Sequence, residues 1–177
     1  TDADVSKDDA SSIEKDYPDG VTVAVVPSFG KGVHDVKAGD HVCFTFNVSC
    51  GRCRRCLEGR PYICERSVMP RAAGQLLSGH HRLHLDGKPV NHQSGVSCYA
   101  EYAVVDRGSI VVIDKSLPLD LAALFGCAVV TGVGAVVNTG RIEAGSTVAV
   151  VGLGGVGLSG LLGAVLAGAS QIVAIDL

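Results

Sequence analysis

The chain has 177 residues, a formal net charge of −3 and a hydrophobic content of 47%. This near-neutral balance gives no general reason to expect nucleic acid or an anionic membrane as a partner. Seven cysteines, an odd number, without an apolar signal segment near Thr1, argue against a secreted disulfide framework. A reducing, cytoplasmic location is therefore expected. The sequence is also expected to be a fragment, because it ends at Leu177 directly after an apolar run.

The N-terminal part of the chain has the pattern of a β-barrel domain. Residues 1–20 are polar and acidic, with seven Asp or Glu against two Lys, and show no clean periodicity. Short β-rich runs, separated by glycines and other turn formers, predict strands. The predicted strands are 21–26, 41–46, 99–105 and 109–113. Residues 71–95, which contain several glycines and histidines, are expected to be irregular.

After Pro118 the pattern changes to that of an α/β domain. Longer apolar stretches predict helices, and two short apolar runs predict buried strands. The predicted helices are 119–125, 127–138 and 156–167, and the predicted strands are 147–151 and 171–175. A strand, a helix and a strand in this order predict a βαβ unit.

Two uncharged runs, 121–140 and 144–175, are each long enough for a transmembrane helix. The second run is interrupted by four glycines between positions 152 and 157. Neither run contains the Trp or Tyr typical of a membrane interface. A membrane span is therefore not favoured.

Four closely spaced cysteines within residues 47–66 predict a metal site. Cys50, Cys53 and Cys56 are separated by two residues each, and Cys64 follows after seven more. This spacing can place four thiolates around one tetrahedral zinc ion, whereas disulfides among the first three cysteines would close very small loops. The sequence therefore predicts a structural zinc site in residues 47–66, which we call the cysteine lobe.

Two alternatives for the cysteine lobe stay open at this point. Bacterial ferredoxins bind an iron–sulfur cluster through a similar run, but their last spacing is three residues and a Pro follows; this chain has seven residues and Glu65. Five arginines of the lobe could contact nucleic-acid phosphates, or they could stabilise the net charge of about −2 that four thiolates leave on Zn²⁺. We favour the second interpretation and expect no nucleic-acid partner. The arginines are Arg52, Arg54, Arg55, Arg60 and Arg66.

A glycine motif follows the predicted strand 147–151 and opens the next helix. Gly152 permits a tight turn, Gly154 lets the backbone approach a pyrophosphate, and Gly157 allows close packing of helix on strand. The helix N-terminus stabilises the phosphate charge. Asp176, at the end of the next strand, would accept hydrogen bonds from a ribose diol, which favours NAD over NADP. The candidate cofactor-binding residues of the motif are Gly152, Gly154, Gly155, Val156, Gly157 and Asp176.

Two of these patterns also have an ordinary structural interpretation. The glycine motif could belong to a glycine-rich helix packed in a core. Four histidines between positions 80 and 92 could form a metal cluster, yet loop histidines are usually solvated, and no metal site is expected from them. They are His80, His81, His84 and His92.

The two motifs together resemble the zinc-dependent alcohol dehydrogenases of the medium-chain dehydrogenase/reductase family. The resemblance is carried by the cysteine lobe and by segments 39–42, 97–102, 126–135 and 152–157. It implies a fold of the α/β plus β type, which begins with a GroES-like barrel domain over 1–127 that bears the structural zinc lobe. The first βαβ unit of an NAD-binding Rossmann domain would then occupy 128–177.

The resemblance also implies a chemistry and a set of residues. Family members transfer a hydride between an alcohol and NAD at a catalytic zinc. Cys127 matches one ligand of that zinc, Thr1 matches the hydroxyl that begins a proton relay, and Asp2 matches the acid that orients a ligand histidine. Thr131 matches a residue lining the nicotinamide site, although it could equally be an ordinary helix residue.

The same correspondence predicts that this chain is inactive. Of the family's other two catalytic zinc ligands, one would precede Thr1 and the histidine would fall at Gly20. The expected substrate is a small alcohol or aldehyde, and the full-length protein is expected to be a homo-oligomer. Two other functions stay open: a zinc-free NAD(P)H reductase of the same family, and a non-catalytic zinc-binding module.

Overall fold

The computed structural model describes residues 23–177, so the acidic segment 1–20 lies outside it. The chain divides into two units between Ala123 and Leu124. The sequence instead predicts a domain boundary between 127 and 128. That one domain ends there and an NAD-binding domain begins stays a prediction.

Seven strands and five α-helices make up the regular structure of residues 23–177. The strands are β1 (Val23–Val25), β2 (His41–Phe44), β3 (Leu83–Leu85), β4 (Lys88–Val90), β5 (Ile110–Ile113), β6 (Thr147–Val151) and β7 (Gln171–Ile175). The α-helices are α1 (Arg54–Leu57), α2 (Val68–Ala72), α3 (Leu119–Ala122), α4 (Ala128–Gly134) and α5 (Gly155–Leu166). Shorter helical segments are Pro61–Ile63, Arg107–Ser109, Ala123–Gly126 and Ala135–Gly140.

The sheet of the first unit is antiparallel, with β2 between β1 and β5. Val23 pairs with Cys43, and Phe44 pairs with Ile110. Neighbouring residues of a strand face opposite sides, and both Val42 and Cys43 are buried, so β2 packs apolar side chains on each face. The structure confirms the predicted strands 41–46 and 109–113, and it confirms the predicted strand 21–26 within its described part.

Two small apolar clusters form the core of the first unit. One consists of Val26, Val36 and Val42. The other consists of Cys43, Leu119 and Ala122. Because Val42 and Cys43 are adjacent in β2, the clusters lie on opposite faces of the sheet. Cys43 is buried here and packs as a small apolar core residue.

The cysteine lobe follows β2 and contains little regular structure. α1 is four residues long, which is too short for this helix to be stable by itself. Gly51 and Gly59 adopt φ angles of +67° and +76°, a backbone conformation that favours glycine. The conformation of the lobe therefore depends on contacts between its side chains, above all those of the cysteines.

The hairpin of β3 and β4 corrects the prediction that 71–95 is irregular. Its strands are joined by Asp86 and Gly87, which adopt φ angles of +50° and +73°. Positive φ at both central residues is what the commonest two-residue hairpin turn requires, and Asp-Gly is a frequent pair there. This dipeptide is the signal in the sequence that identifies the hairpin.

The prediction of a strand at 99–105 is wrong, because these residues adopt no strand conformation. Tyr99 and Tyr102 are 82% and 47% exposed. A strand propensity expresses how well a side chain fits a half-buried pleated surface, and a strand also needs a neighbour for its backbone hydrogen bonds. None of the strands in residues 23–177 pairs with this segment.

In the second unit, β6 and β7 are parallel and α5 connects them, as the sequence predicts. The prediction that both strands are buried is wrong: their residues are exposed or half-buried, because this sheet has two strands among the described residues. The register runs from Thr147 opposite Gln171 to Val151 opposite Ile175. α4 continues into the π-helical segment Ala135–Gly140, which extends two residues beyond the predicted helix 127–138. The structure therefore confirms a βαβ unit preceded by a helix.

Glycines allow α4 to pack closely against α5. A Cβ atom on Gly132 would overlap the carbonyl oxygen of Val156 and lie 2.6 Å from the amide nitrogen of Gly160. A Cβ atom on Gly163 would lie 3.1 Å from the Cα atom of Val133. The two helix backbones are thus in direct contact, because glycine has no side chain to separate them.

Each of the two uncharged runs of the sequence contains several elements of secondary structure. Residues 144–175 contain β6, α5 and β7 rather than one helix. Within residues 23–177, no single helix has both the length and the apolar composition needed to cross a membrane. The bent pair Leu119–Gly126 and Ala128–Gly140 meets that test only when its two members are counted together.

Candidate metal centre and cofactor loop

The four cysteines of the lobe converge on one point. Their sulfur atoms all lie within 4.8 Å of one another, and the Sγ atom of Cys53 is 3.5 Å from that of Cys56 and 3.9 Å from that of Cys64. A tetrahedral zinc ion with Zn–S bonds of about 2.3 Å separates its sulfurs by about 3.8 Å. The cluster therefore has the dimensions of a site for one ion.

Backbone amides orient the sulfurs toward this point. The amide N–H of Cys53 donates to Sγ of Cys50 at 3.3 Å, and the amide N–H of Cys50 donates to Sγ of Cys64 at 3.4 Å. Cys53 directly precedes α1 and Cys56 lies within it. Amide donors stabilise thiolates, so the local fold prepares the sulfurs as metal ligands.

The thiols of the cluster differ in how readily they ionise. The backbone amide of Cys56 lowers the pKa of Cys53 to about 6, whereas desolvation and the neighbouring Cys53 thiol raise the pKa of Cys56 to about 11. Burial opposes ionisation of Cys64, but hydrogen bonds from Cys50 outweigh it and lower the pKa of Cys64. Four adjacent thiols cannot all ionise alone, so the donor set fits a divalent cation.

The geometry favours one ion over an iron–sulfur cluster. In a four-iron cluster each cysteine binds a different iron atom, which spreads the thiolates around the cluster. Here Cys64 is 1% exposed, and the four sulfurs all lie within 4.8 Å of one another, a spacing that suits one shared ion. Four protein ligands also leave no open coordination position, which is typical of a structural rather than a catalytic zinc site.

Carboxylates accompany several arginines of the lobe. Arg54 Nε lies 2.7 Å from Glu58 Oε1, and Arg55 lies 3.2 Å from Glu58 and 3.6 Å from Glu65. Exposed ion pairs of this kind contribute little to stability, but they offset part of the positive charge of the surface. The predicted absence of a nucleic-acid partner is consistent with this pairing and stays a prediction.

The glycine motif forms the loop between β6 and α5. Gly152 has φ of +88° and donates its amide N–H to the carbonyl of Ile175 at 2.8 Å. A Cβ atom on Gly157 would overlap the carbonyl oxygen of Gly152, whereas a Cβ atom on Gly154 would have no atom within 4 Å. The loop therefore has a tight turn, a close helix-to-loop contact and open space beside Gly154, as the sequence predicts.

Asp176 lies beside this loop at the end of β7. Its Oδ2 atom accepts the amide N–H of Leu153 at 2.7 Å, and its Oδ1 atom accepts that of Leu177 at 2.8 Å. The Leu153 amide is the main reason why the pKa of Asp176 falls below its ordinary value, and the Leu177 amide adds to it. The carboxylate is therefore ionised and exposed at the position expected for a ribose-binding acid.

Cys127 lies close to the glycine loop. It directly precedes α4 and is exposed. A Cβ atom on Gly155, the first residue of α5, would lie 3.3 Å from the Cβ atom of Ala128, the first residue of α4. Thr131 is one helical turn further and donates its amide N–H to the Cys127 carbonyl at 3.1 Å. The second unit thus brings together Cys127, Thr131 and the glycine motif.

Two groups of candidate residues from the sequence are left to locate. Thr1 and Asp2 lie outside the described residues. Among residues 23–177, the cysteine cluster is the one set of at least three metal-binding side chains close enough to hold an ion. The four histidines form no such set, and His92 is buried rather than solvated.

The sequence from residue 19 to residue 115 matches the model of the alcohol dehydrogenase GroES-like domain. The chain belongs to the alcohol dehydrogenase family. The match extends over β1 to β5 and includes the cysteine lobe, so it confirms the family resemblance and the GroES-like fold of this part of the chain.

Three solved structures of alcohol dehydrogenases are similar to this chain. An alcohol dehydrogenase zinc-binding domain protein from Burkholderia ambifaria is 34% identical over 87% of the chain, with a TM-score of 0.77. Benzyl alcohol dehydrogenase from Acinetobacter calcoaceticus is 32% identical over 88%, with a TM-score of 0.76. Alcohol dehydrogenase TADH from Thermus sp. ATN1 is 29% identical over 87%, with a TM-score of 0.63. The chain spans 42%, 41% and 40% of the lengths of these three proteins, in the same order.

Proposed function

We propose that this sequence represents a zinc- and NAD-dependent oxidoreductase that interconverts alcohols with aldehydes or ketones by hydride transfer. The observation that carries the proposal is the approach of α4 to α5, because it sets Cys127 beside the glycine loop in a chain of the alcohol dehydrogenase family. A zinc ligand and a dinucleotide loop must be neighbours if a metal-bound alcohol is to give its hydride to NAD.

Each part of the second unit has a task in this proposal. The open space at Gly154 admits the pyrophosphate to the backbone, and the N-terminus of α5 stabilises its charge. Asp176 accepts the ribose hydroxyls and repels a 2′-phosphate, so NAD is preferred over NADP. Cys127 holds the catalytic zinc, and Thr131 lines the nicotinamide site. When bound, the zinc supplies a Lewis acid that lowers the pKa of the alcohol.

The cysteine lobe has a structural task in the same proposal. Its four thiolates hold a zinc ion that fixes the conformation of a segment with few regular hydrogen bonds. The chain itself is proposed to be inactive, because Gly20 occupies the expected ligand position and the first ligand is not in the sequence. We further propose a cytoplasmic homo-oligomer for the full-length protein.

A gain of zinc and activity tests the proposal. In a full-length protein that supplies the missing upstream cysteine, Gly20→His should raise the zinc content from one to two ions per chain. It should also allow oxidation of benzyl alcohol, the substrate named for one similar enzyme, measured by NADH absorbance. The matched control adds Cys127→Ser, which should return the zinc content to one and abolish activity.

Other outcomes identify the two other functions. A protein that holds one zinc and stays inert with alcohols, but reduces an enone with NAD(P)H, would be a zinc-free reductase of the same family. A protein without affinity for NAD that binds nucleic acid in a salt-sensitive manner would be a zinc-binding module. Either result would overturn the proposal.

A further inference from the structure

The end of β7 holds two successive amides of the glycine loop. The backbone carbonyl of Ile175 accepts the amide N–H of Gly152 at 2.8 Å. The side chain of Asp176 accepts the next amide, that of Leu153, at 2.7 Å. The hydrogen bond to the Leu153 amide depends on the type of side chain at position 176. The hydrogen bond to the Gly152 amide uses a backbone carbonyl and would form with any residue at position 176.

The loop has few other side-chain contacts at its turn. A Cβ atom would find no heavy atom within 4 Å at either Gly152 or Gly154, so no side chain packs on that side of either residue. Glycines also lose more conformational freedom than other residues when they become ordered. A charged hydrogen bond to the residue between these two glycines therefore restrains a part of the backbone that has much conformational freedom to lose.

The carboxylate can hold the loop and still bind a ribose. A carboxylate offers about four lone-pair positions on two oxygens. Leu153 and Leu177 use one position on each oxygen, so each oxygen keeps one for a hydroxyl. The contact to Leu153 is thus compatible with, and separate from, the ribose contact that gives the preference for NAD.

We propose that Asp176 is a positioning residue of the glycine loop, whose carboxylate fixes the Leu153 amide before the dinucleotide arrives. The ligand in this proposal rests on the proposed function, but the hydrogen bond within the free protein does not. By holding the loop in its binding conformation, Asp176 lowers the entropy lost when the pyrophosphate binds. Position 176 therefore affects the pyrophosphate subsite as well as the ribose.

Amide hydrogen exchange of Leu153, followed by NMR in the ligand-free 177-residue chain, tests the positioning role. Asp176→Ala should accelerate this exchange about tenfold, the effect of losing one charge-assisted hydrogen bond. Asp176→Asn, which keeps a neutral acceptor of the same shape, should recover part of the protection. An unchanged Leu153 exchange rate in Asp176→Ala would overturn the proposal.

A matched control comes from a similar hydrogen bond in the first unit. Asp114 Oδ1 accepts the amide N–H of Ser116 at 2.8 Å, and the pKa of Asp114 is also lowered by this amide. Asp114→Ala should accelerate exchange at Ser116 and leave Leu153 unchanged. Faster Leu153 exchange in the control would show a general loss of stability instead of a local effect and would count against the proposal.

Binding of NAD and its 2′,3′-dideoxyadenosine analogue, which lacks both hydroxyls of the ribose diol, separates positioning from ribose recognition. If Asp176 also positions the loop, Asp176→Ala should weaken both ligands, since the analogue still contains the pyrophosphate. An unchanged affinity for the analogue beside a weakened affinity for NAD would leave ribose recognition as the role of Asp176 and overturn positioning. If neither ligand binds the unmodified chain while Leu153 responds to Asp176→Ala, the cofactor assignment fails and the positioning role of Asp176 stands.

Discussion

His92 joins the hairpin segment to the turn after α2 through two hydrogen bonds, one of which requires a neutral imidazole. Its Nε2 atom accepts the amide N–H of Arg82 at 3.0 Å, and its own amide donates to the Gly74 carbonyl at 2.7 Å. The side chain is 4% exposed. Burial lowers the pKa of His92, the nearby His81 lowers it further, and Asp106 acts in the opposite direction. Protonation would remove the acceptor for Arg82 and bury a charge.

We therefore expect acid to destabilise the first unit through His92. Because the folded-state pKa is depressed, its contribution is fully present above the unfolded value of about 6.5 and is lost as the pH falls through the folded value. The free energy of unfolding should fall by at most about 1.4 kcal/mol per pH unit. Denaturant unfolding at about pH 7.5 and about pH 5.5 measures this effect.

The variant His92→Gln should reduce this pH dependence, whatever its effect on stability at neutral pH. The control is His84→Gln, which replaces an exposed histidine of the same hairpin. Equal pH dependence in both variants would show that another group titrates, and the assignment to His92 would be wrong.

At the scale of single residues, the sequence was informative where chemistry depends on spacing. The spacing of Cys50, Cys53, Cys56 and Cys64 predicts their convergence, because few arrangements of so short a segment can bring four thiols together. Nothing local in the sequence distinguishes His92 from His84. Burial of one and exposure of the other depend on which segments pack around them, and spacing carries no information about that packing.

At the scale of elements, the contact of α4 with α5 depends on Gly132. We expect Gly132→Ala to destabilise the second unit by about 1–3 kcal/mol, the usual cost of overpacking, because the new methyl group would overlap the Val156 carbonyl. Gly134→Ala is the matched control in the same helix. Its Cβ atom would lie 3.7 Å from Asn138 Nδ2, an ordinary contact, so it should be neutral or stabilise by up to about 1 kcal/mol. Denaturant unfolding should show these opposite signs, and equal effects would contradict the packing.

The elements whose ranges the sequence predicts best are those of the βαβ unit. β6, α5 and β7 agree closely with their predicted ranges, because two short apolar runs on either side of a longer one leave few alternatives. The segment 99–105 has an equally good strand pattern but no pairing partner among the described strands. The β3–β4 hairpin is the opposite case, because the structure has strands where none were predicted. These strands are short and exposed, and only the turn dipeptide identifies them.

At the scale of the whole molecule, the four metal ligands all belong to the first unit and the glycine loop belongs to the second. We therefore expect a zinc chelator to destabilise the two units unequally. The unfolding temperature of the first unit should fall by about 10 °C or more, given the large binding free energy of structural zinc, while that of the second should not change. Hydrogen exchange by mass spectrometry during heating separates the units.

Two cysteine variants provide the controls for this experiment. Cys64→Ser removes a ligand, so it should have the lowered unfolding temperature already and no longer respond to the chelator. Cys98→Ser changes a partly buried cysteine outside the cluster, so it should retain the response. A chelator effect shared equally by both units, or present in Cys64→Ser, would show that zinc does not act through the lobe.

The four metal ligands are confined to positions 50 to 64, which has a consequence for the order of assembly. Loops this short lose little entropy on closure, so capture of the ion requires no contact with distant segments. During synthesis the complete ligand set leaves the ribosome well before the glycine loop at 152–157 has been translated. Metal capture by the nascent chain can thus precede synthesis of the glycine loop, so we expect the supply of zinc at the ribosome to act on this chain before any ligand of that loop can.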